Sequence, residues 1–164
     1  MITLKKILVP TDFSECSEAA VRYGFELART FDATLHLLHV VEDPSATPWA
    51  GEGFLLSIGD LLTQFQEESR KRLLASVPDS DRGRVVVFCP IAAPVPEILR
   101  YAQDESVDLI VMGTHGRGFV THALLGSVAE RIVRRASCPV LTVRQSQHSF
   151  VDVSTQPAGA TVQV

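Results

Sequence analysis

The 164 residues suit one compact domain and are too few for two ordinary ones. Hydrophobic residues make up 46% and charged residues 21%, so a core can form without disulfides or a structural metal. A formal net charge of −4 supplies no global positive field, which argues against general nucleic-acid or anionic-membrane binding but leaves room for one small anion held by backbone N–H groups.

The elements alternate strand and helix. Residues 5–10, KKILVP, read as a short buried strand stopped by proline, and residues 14–30 as a helix with Ser14 and Ser17 as candidate caps. Ala20, Gly24, Leu27 and Phe31 share one face of that helix. Residues 34–41, TLHLLHVV, form a second strand, apolar on both faces apart from His36 and His39, as in a sheet covered by helices on both sides. Pro44, Pro48, Gly51 and Gly53 predict a loop over 42–56, followed by a helix over about 57–76 that buries Leu61, Leu62, Phe65, Leu73 and Leu74. Strands follow at 84–88, 107–112 and 139–143, separated by a helix after Pro94 and Pro96 and by another over about 126–136. Residues 113–126 between them are glycine-rich. The pattern predicts one domain over 1–145 and a mostly mobile Ser/Thr/Gln-rich tail over 146–164.

Five strands separated by helices predict an open, single-domain α/β fold with a five-stranded parallel sheet and helices on both faces. In the order 3-2-1-4-5, the winding reverses between strands one and four, and ligands bind beyond the carboxyl ends of strands at such a reversal. The loops there are PTDFSE and GTHGRG. The second runs Gly113-Thr-His-Gly116-Arg-Gly118 and leads, with nine residues between Gly116 and Gly126, to Gly126-Ser127 at a helix start. Glycines let a backbone turn with φ > 0 or approach a ligand closely, and the positive end of the next helix favours phosphate oxygens. Two bland alternatives stay open. The glycines merely turn a loop, or Ser127 and Glu130 form a capping box, S-x-x-E. No Walker P-loop and no G-x-G-x-x-G after the first strand is present.

KKILVPTDFSE, LHLLHVVE, DLIVMGTHGRG and LLGSVAERIVRRASCPVLTV, with the G-x-x-G, nine residues, G-S spacing, resemble the ATP-binding branch of the universal stress protein family over residues 4–144. The resemblance implies a Rossmann-like fold, similar to the adenine nucleotide alpha hydrolases, that binds ATP. It implies Asp12 against the nucleoside with Pro10 and Thr11 lining the pocket, the Val40 backbone at the adenine, and Met112 and Gly113 under the ribose. It places Gly116, Gly126 and Ser127 around the phosphates, with a further N–H from Val128. One departure is Ala92-Ala93-Pro94 where the family often shows G-x-P.

Asp12 has the alternative of capping the first helix. His115 and Arg117 lie in the glycine loop, either near phosphate or as solvated turn residues. His36 and His39 stand on opposite faces of a strand and read as hydrogen-bonded structural residues. Trp49, in the Pro/Gly loop, is an open candidate for an interface or pocket lid. Cys16, Cys89 and Cys138 are far apart and odd in number, which suits a reducing compartment and ordinary buried thiols. The N-terminus has only a short apolar run before Pro10, and no run approaches the ~20 residues of a membrane span. A cytoplasmic protein is expected. With no P-loop lysine and no acidic cluster, a binding or regulatory protein is expected rather than an enzyme, with Mg or Mn entering on the triphosphate. The last strand, 139–143, is an expected sheet edge, and its unpaired backbone groups suit a homodimer, which the resemblance also implies.

Overall fold

Ile7, Leu8 and Val9 are all fully buried, and a strand buried on both faces needs a helical layer on each side. The computed structural model describes residues 2–43, 52–114 and 125–144, with only the backbone of 52–58. It supplies those layers. Strands β1 (Lys6–Pro10), β2 (Thr34–Leu38), β3 (Val85–Phe88), β4 (Leu109–Gly113) and β5 (Val140–Val143) form one parallel sheet in the order β3-β2-β1-β4-β5. Helices α1 (Glu15–Phe31) and α2 (Glu52–Ala75) cover one face, joining Ile7, Val9, Leu35 and Val111 in a core with Ala20 and Leu73. Helices α3 (Pro94–Asp104) and α4 (Ser127–Arg135) cover the other, packing Ile98, Tyr101 and Ile132 on Leu8, Leu38 and Ile110. The expected fold is the one found. His115, Gly116, Gly118, Arg117, Trp49 and the tail over 146–164 lie outside the described residues.

Several boundaries differ from the sequence expectation. Strand β2 ends at Leu38 rather than residue 41 because β1 leaves it there. The Thr11 N–H closes the last β1–β2 bond on the Leu38 carbonyl, and beyond it His39 and Val41 pair only on the β3 side, with the carbonyls of Phe88 and Pro90. Helix α2 begins at Glu52, inside the expected loop, since an interior glycine costs a helix only about 1 kcal/mol and does not end it. Its buried row is Leu62 and Leu73, with Gln66 and Ser69 half-buried between them at helical spacing. Leu61, Phe65 and Leu74, expected inside, lie beside that row and stay 44–48% exposed. A 3-10 turn, Asp79–Arg84, joins α2 to β3 and buries the Asp81 carboxylate against Arg29, whose Nε lies 3.2 Å from each carboxylate oxygen. That guanidinium holds the Asp81 carboxyl below its ordinary range.

His36 and His39 do take opposite faces. His39 turns to the α1 side, its ring 4.4 Å from Phe13. His36 is buried under α3, its Nδ1 2.8 Å from the Tyr101 hydroxyl, and its Nε2 has no partner among the described residues. Burial lowers the His36 imidazole below 6.5, against a smaller raising pull from Glu105 and with a small lowering push from Lys6. The unfolded chain therefore takes up the proton first, so stability is present above pH 6.5 and is lost as the pH falls below it. In urea melts His36→Leu should flatten this loss; an unchanged pH slope across the acid side of neutrality would assign it elsewhere.

Two helical glycines predict opposite outcomes. A methyl on Gly24 of α1 would lie 2.5 Å from Val9 Cγ2, whereas one on Gly59 of α2 would meet nothing within 4 Å. Gly24→Ala should cost about 1–3 kcal/mol by overpacking. Gly59→Ala should stabilise by about 0.5–1 kcal/mol through helix propensity. Thermal melts of the two variants check the pair of signs.

Candidate functional site

Strands β1 and β4 lie side by side, Leu8 opposite Ile110, yet their loops run to opposite faces of the sheet. The gap between the loops opens into a cleft of about 580 Å³. Pro10, Thr11 and Asp12 line it from β1, Val40 from beyond β2, Met112 and Gly113 from β4, and Gly126, Ser127 and Val128 from the start of α4. Nine of the twelve predicted site residues thus share one cavity, and the other three, His115, Gly116 and Arg117, lie outside the described residues.

The Asp12 loop is built from short hydroxyl side chains. Ser14 caps α1, its hydroxyl oxygen accepting from the Ser17 N–H at 3.3 Å. The same hydroxyl donates to Asp12 Oδ1 at 2.6 Å, and the Ser14 N–H donates to that oxygen at 3.1 Å. The Ser17 hydroxyl donates to the Ser14 carbonyl at 2.9 Å and lies 2.9 Å from Thr11 Oγ1, which accepts the Phe13 N–H at 3.1 Å. Asp12 is therefore not the helix cap. Its carboxylate is braced by the residue that is.

At the opposite wall the Gly126 N–H donates to the Thr114 carbonyl at 2.6 Å and is committed to that bond. Gly126 is the N-cap of α4 in extended geometry, with no side-chain cap bond. Ser127 is therefore the first helical residue and the capping-box alternative does not form. The first bond of the helix runs from Glu130 N–H to the Gly126 carbonyl, so the helix makes no use of the Ser127, Val128 and Ala129 N–H groups. These groups carry the positive end of the helix dipole and border the cleft together with the exposed Ser127 hydroxyl.

Neither described glycine of this segment uses a left-handed backbone, contrary to the expected reason for glycine there; Gly126 has φ −68° and no glycine among the described residues has positive φ. Gly113 is needed for close approach instead. A methyl on it would sit 2.9 Å from the carbonyl carbon and oxygen of Cys16 and 3.1 Å from the Ser17 nitrogen.

The lining residues that the sequence left unmarked include Phe65 and Ser69 of α2, Pro94 and Ile98 of α3, Ala129 of α4, and the cleft-lining Glu42, His39 and Thr114. The α2 and α3 residues had no local signal, because helix packing alone brings them to the cleft. Thr114 follows a strand-terminal glycine, and His39 directly precedes Val40, so their proximity to predicted residues was the available sign. The thiols are ordinary. Burial pushes Cys89 up to about 11 and raises Cys138, while Cys16 Sγ lies 3.7 Å from Thr114 Oγ1.

The cleft has the Asp12 carboxylate at one wall, a helix amino terminus at the other and Val40, Ile98 and Met112 as apolar surface, with Glu42 as a second acidic lining residue. That arrangement suits an amphipathic anion. Residues 3–144 match the model of the Universal stress protein family. The chain is 35% identical over 143 residues to Universal stress protein MJ0531 of Methanocaldococcus jannaschii, an alignment covering 86% of this chain and 82% of that one. It is 31% identical to Universal stress protein MJ0577 of the same organism, over 88% of this chain and 97% of the relative. The solved MJ0577 structure superposes with a TM-score of 0.64 at 27% identity, covering 90% of this chain and 100% of that one. A universal stress protein solved in complex with cAMP shares the fold, with a TM-score of 0.59 at 24% identity over 88% of this chain and 100% of that one.

Gly113→Ala should cost about 1–3 kcal/mol, because the methyl meets α1 backbone that cannot swing aside. A urea midpoint equal to that of the unaltered protein would show that α1 and β4 are not packed as described.

Proposed function

The chain belongs to the universal stress protein family, and on that premise we propose that its cleft binds an adenine nucleotide, ATP above all, as a regulatory module rather than a turnover enzyme. The observation that carries this is the pairing of Asp12 with the first turn of α4 across one cleft. A carboxylate accepts hydrogen bonds from sugar hydroxyls, and unsatisfied N–H groups at a helix start donate to phosphate oxygens. Val40, Ile98 and Met112 offer apolar contact to a flat base, and the volume lies in the ordinary range of small-molecule sites. The Gly113…Gly126-Ser127 spacing of the family's ATP-binding branch adds to this, as does the cAMP complex of a protein with the same fold.

None of the described lining residues is lysine or arginine, so helix amides, and a Mg or Mn ion carried by the triphosphate, would meet the phosphate charge. This favours binding over phosphoryl transfer; a slow ATPase is the second reading. Among the described residues edge strand β5 pairs only with β4, which suits a two-fold homodimer joined along 139–143.

Calorimetric titration with ATP, ADP, AMP and cyclic AMP tests the assignment, with ATP expected to bind tightest. Asp12→Ala should weaken all four by about 10-fold or more, the worth of a charge-assisted hydrogen bond. Gly126→Val is compatible with the extended backbone at that position, so it should selectively remove the advantage of ATP over AMP by filling phosphate space. An ATP preference that survives Gly126→Val would rule out the cradle. Single-turnover hydrolysis faster than about 1 s⁻¹ would instead make the protein an enzyme.

A further inference from the structure

Between Asp12 and the cap Ser14 stands Phe13, in the left-handed region at φ 62°. A phenylalanine is strained there where glycine would not be, and such strain persists only when surrounding contacts over-determine it. Those contacts come from two other elements. The His39 imidazole lies against one side of the Phe13 ring, centroids 4.4 Å apart and planes inclined by 36°. The Arg72 guanidinium of α2 lies over the ring, 4.2 Å from its centroid, with the Glu18 carboxylate 3.9 Å from the guanidinium. The His39 ring is itself fixed, since Nδ1 is 2.8 Å from the Thr11 carbonyl and, facing an oxygen that only accepts, must carry its proton.

We propose that His39 and Arg72 are positioning residues that hold the Phe13 ring and thereby set the direction of the Asp12 carboxylate in the cleft. The functional part of this rests on the nucleotide assignment above. His39 binds the loop twice, through the Thr11 carbonyl before Asp12 and through the Phe13 ring after it. Arg72 gives α2 a hold on the same loop, so the position of that helix and the orientation of Asp12 are linked. The ring is what both partners grip, which explains a bulky aromatic residue where the backbone alone would favour glycine.

The test separates the loop from the ligand. In the nucleotide-free protein, hydrogen exchange is followed at the Phe13 and Ser14 amides, which donate to Thr11 Oγ1 and Asp12 Oδ1. His39→Ala, Phe13→Ala and the solvent-exposed Arg72→Ala should each accelerate both amides at least tenfold. Phe13→Tyr, which keeps the ring face, should restore protection, and the remote Arg82→Ala should change neither amide. Adenosine affinity should fall about tenfold in the same three variants and recover in Phe13→Tyr. Unaltered exchange in His39→Ala and Arg72→Ala overturns the proposal. So does faster exchange with adenosine affinity intact, because the clamp would then not position Asp12 for the ligand. Should the unaltered protein bind no adenosine or ATP, the nucleotide assignment fails, and the exchange rates alone decide whether the clamp holds the loop.

Discussion

Everything in this molecule that can meet a ligand follows from one adjacency, β1 beside β4 in the middle of a parallel sheet. A right-handed crossover from β1 places α1 on one face, and the crossover through α3 reaches β4 from the other. The two strands therefore pair at Ile7–Leu8 and Leu109–Ile110 and then send their loops apart. The gap is a consequence of winding, not of any particular side chain. Gly113 keeps it well defined, since the end of β4 touches the backbone of the first turn of α1 with no room for a methyl group. The strand that lines the cleft is thus locked to the helix that follows Asp12.

The two walls solve the same problem by different means. On the β1 side, the chain must turn from strand to helix in four residues without stranding polar groups. Thr11, Ser14 and Ser17 satisfy it with a local set of hydrogen bonds, and the Asp12 carboxylate takes part in that set. On the α4 side the helix begins on a glycine that offers no cap, so its N–H groups remain directed outward. A carboxylate and an uncapped helix start facing one cavity give it opposite polarity at its two ends. An amphipathic anion with hydroxyls on one part and phosphate on another fits such a field better than a simple anion, which Asp12 would repel.

The Phe13 ring shows how the cleft is tied to the rest of the fold. A strained residue gripped by β2's extension and by α2 makes the Asp12 loop depend on elements distant in sequence. Helix α2 also lends Phe65 and Ser69 to the cleft and exposes Leu61 and Leu74 beside its buried row. It therefore joins the cleft to an apolar surface.

The sequence by itself determined the architecture. Aliphatic runs such as ILV and LIVM admit one environment, a strand covered on both faces, and their alternation with amphipathic helices leaves few parallel topologies. It also pointed to the reversal and to nine of the residues lining the cleft there, because strand-end loops carry their own turn chemistry. It could not tell whether Ser127 caps a helix or faces a ligand, since both uses share the same local spacing and only the extended geometry of Gly126 separates them. It misplaced Leu61, Phe65 and Leu74, because a helical stripe fixes which residues are neighbours but not the rotation of the helix on its sheet. The reason for Gly113, and the roles of His39 and Arg72 against Phe13, are contacts between residues far apart in the chain. Such contacts come into being only when packing fixes where each element lies.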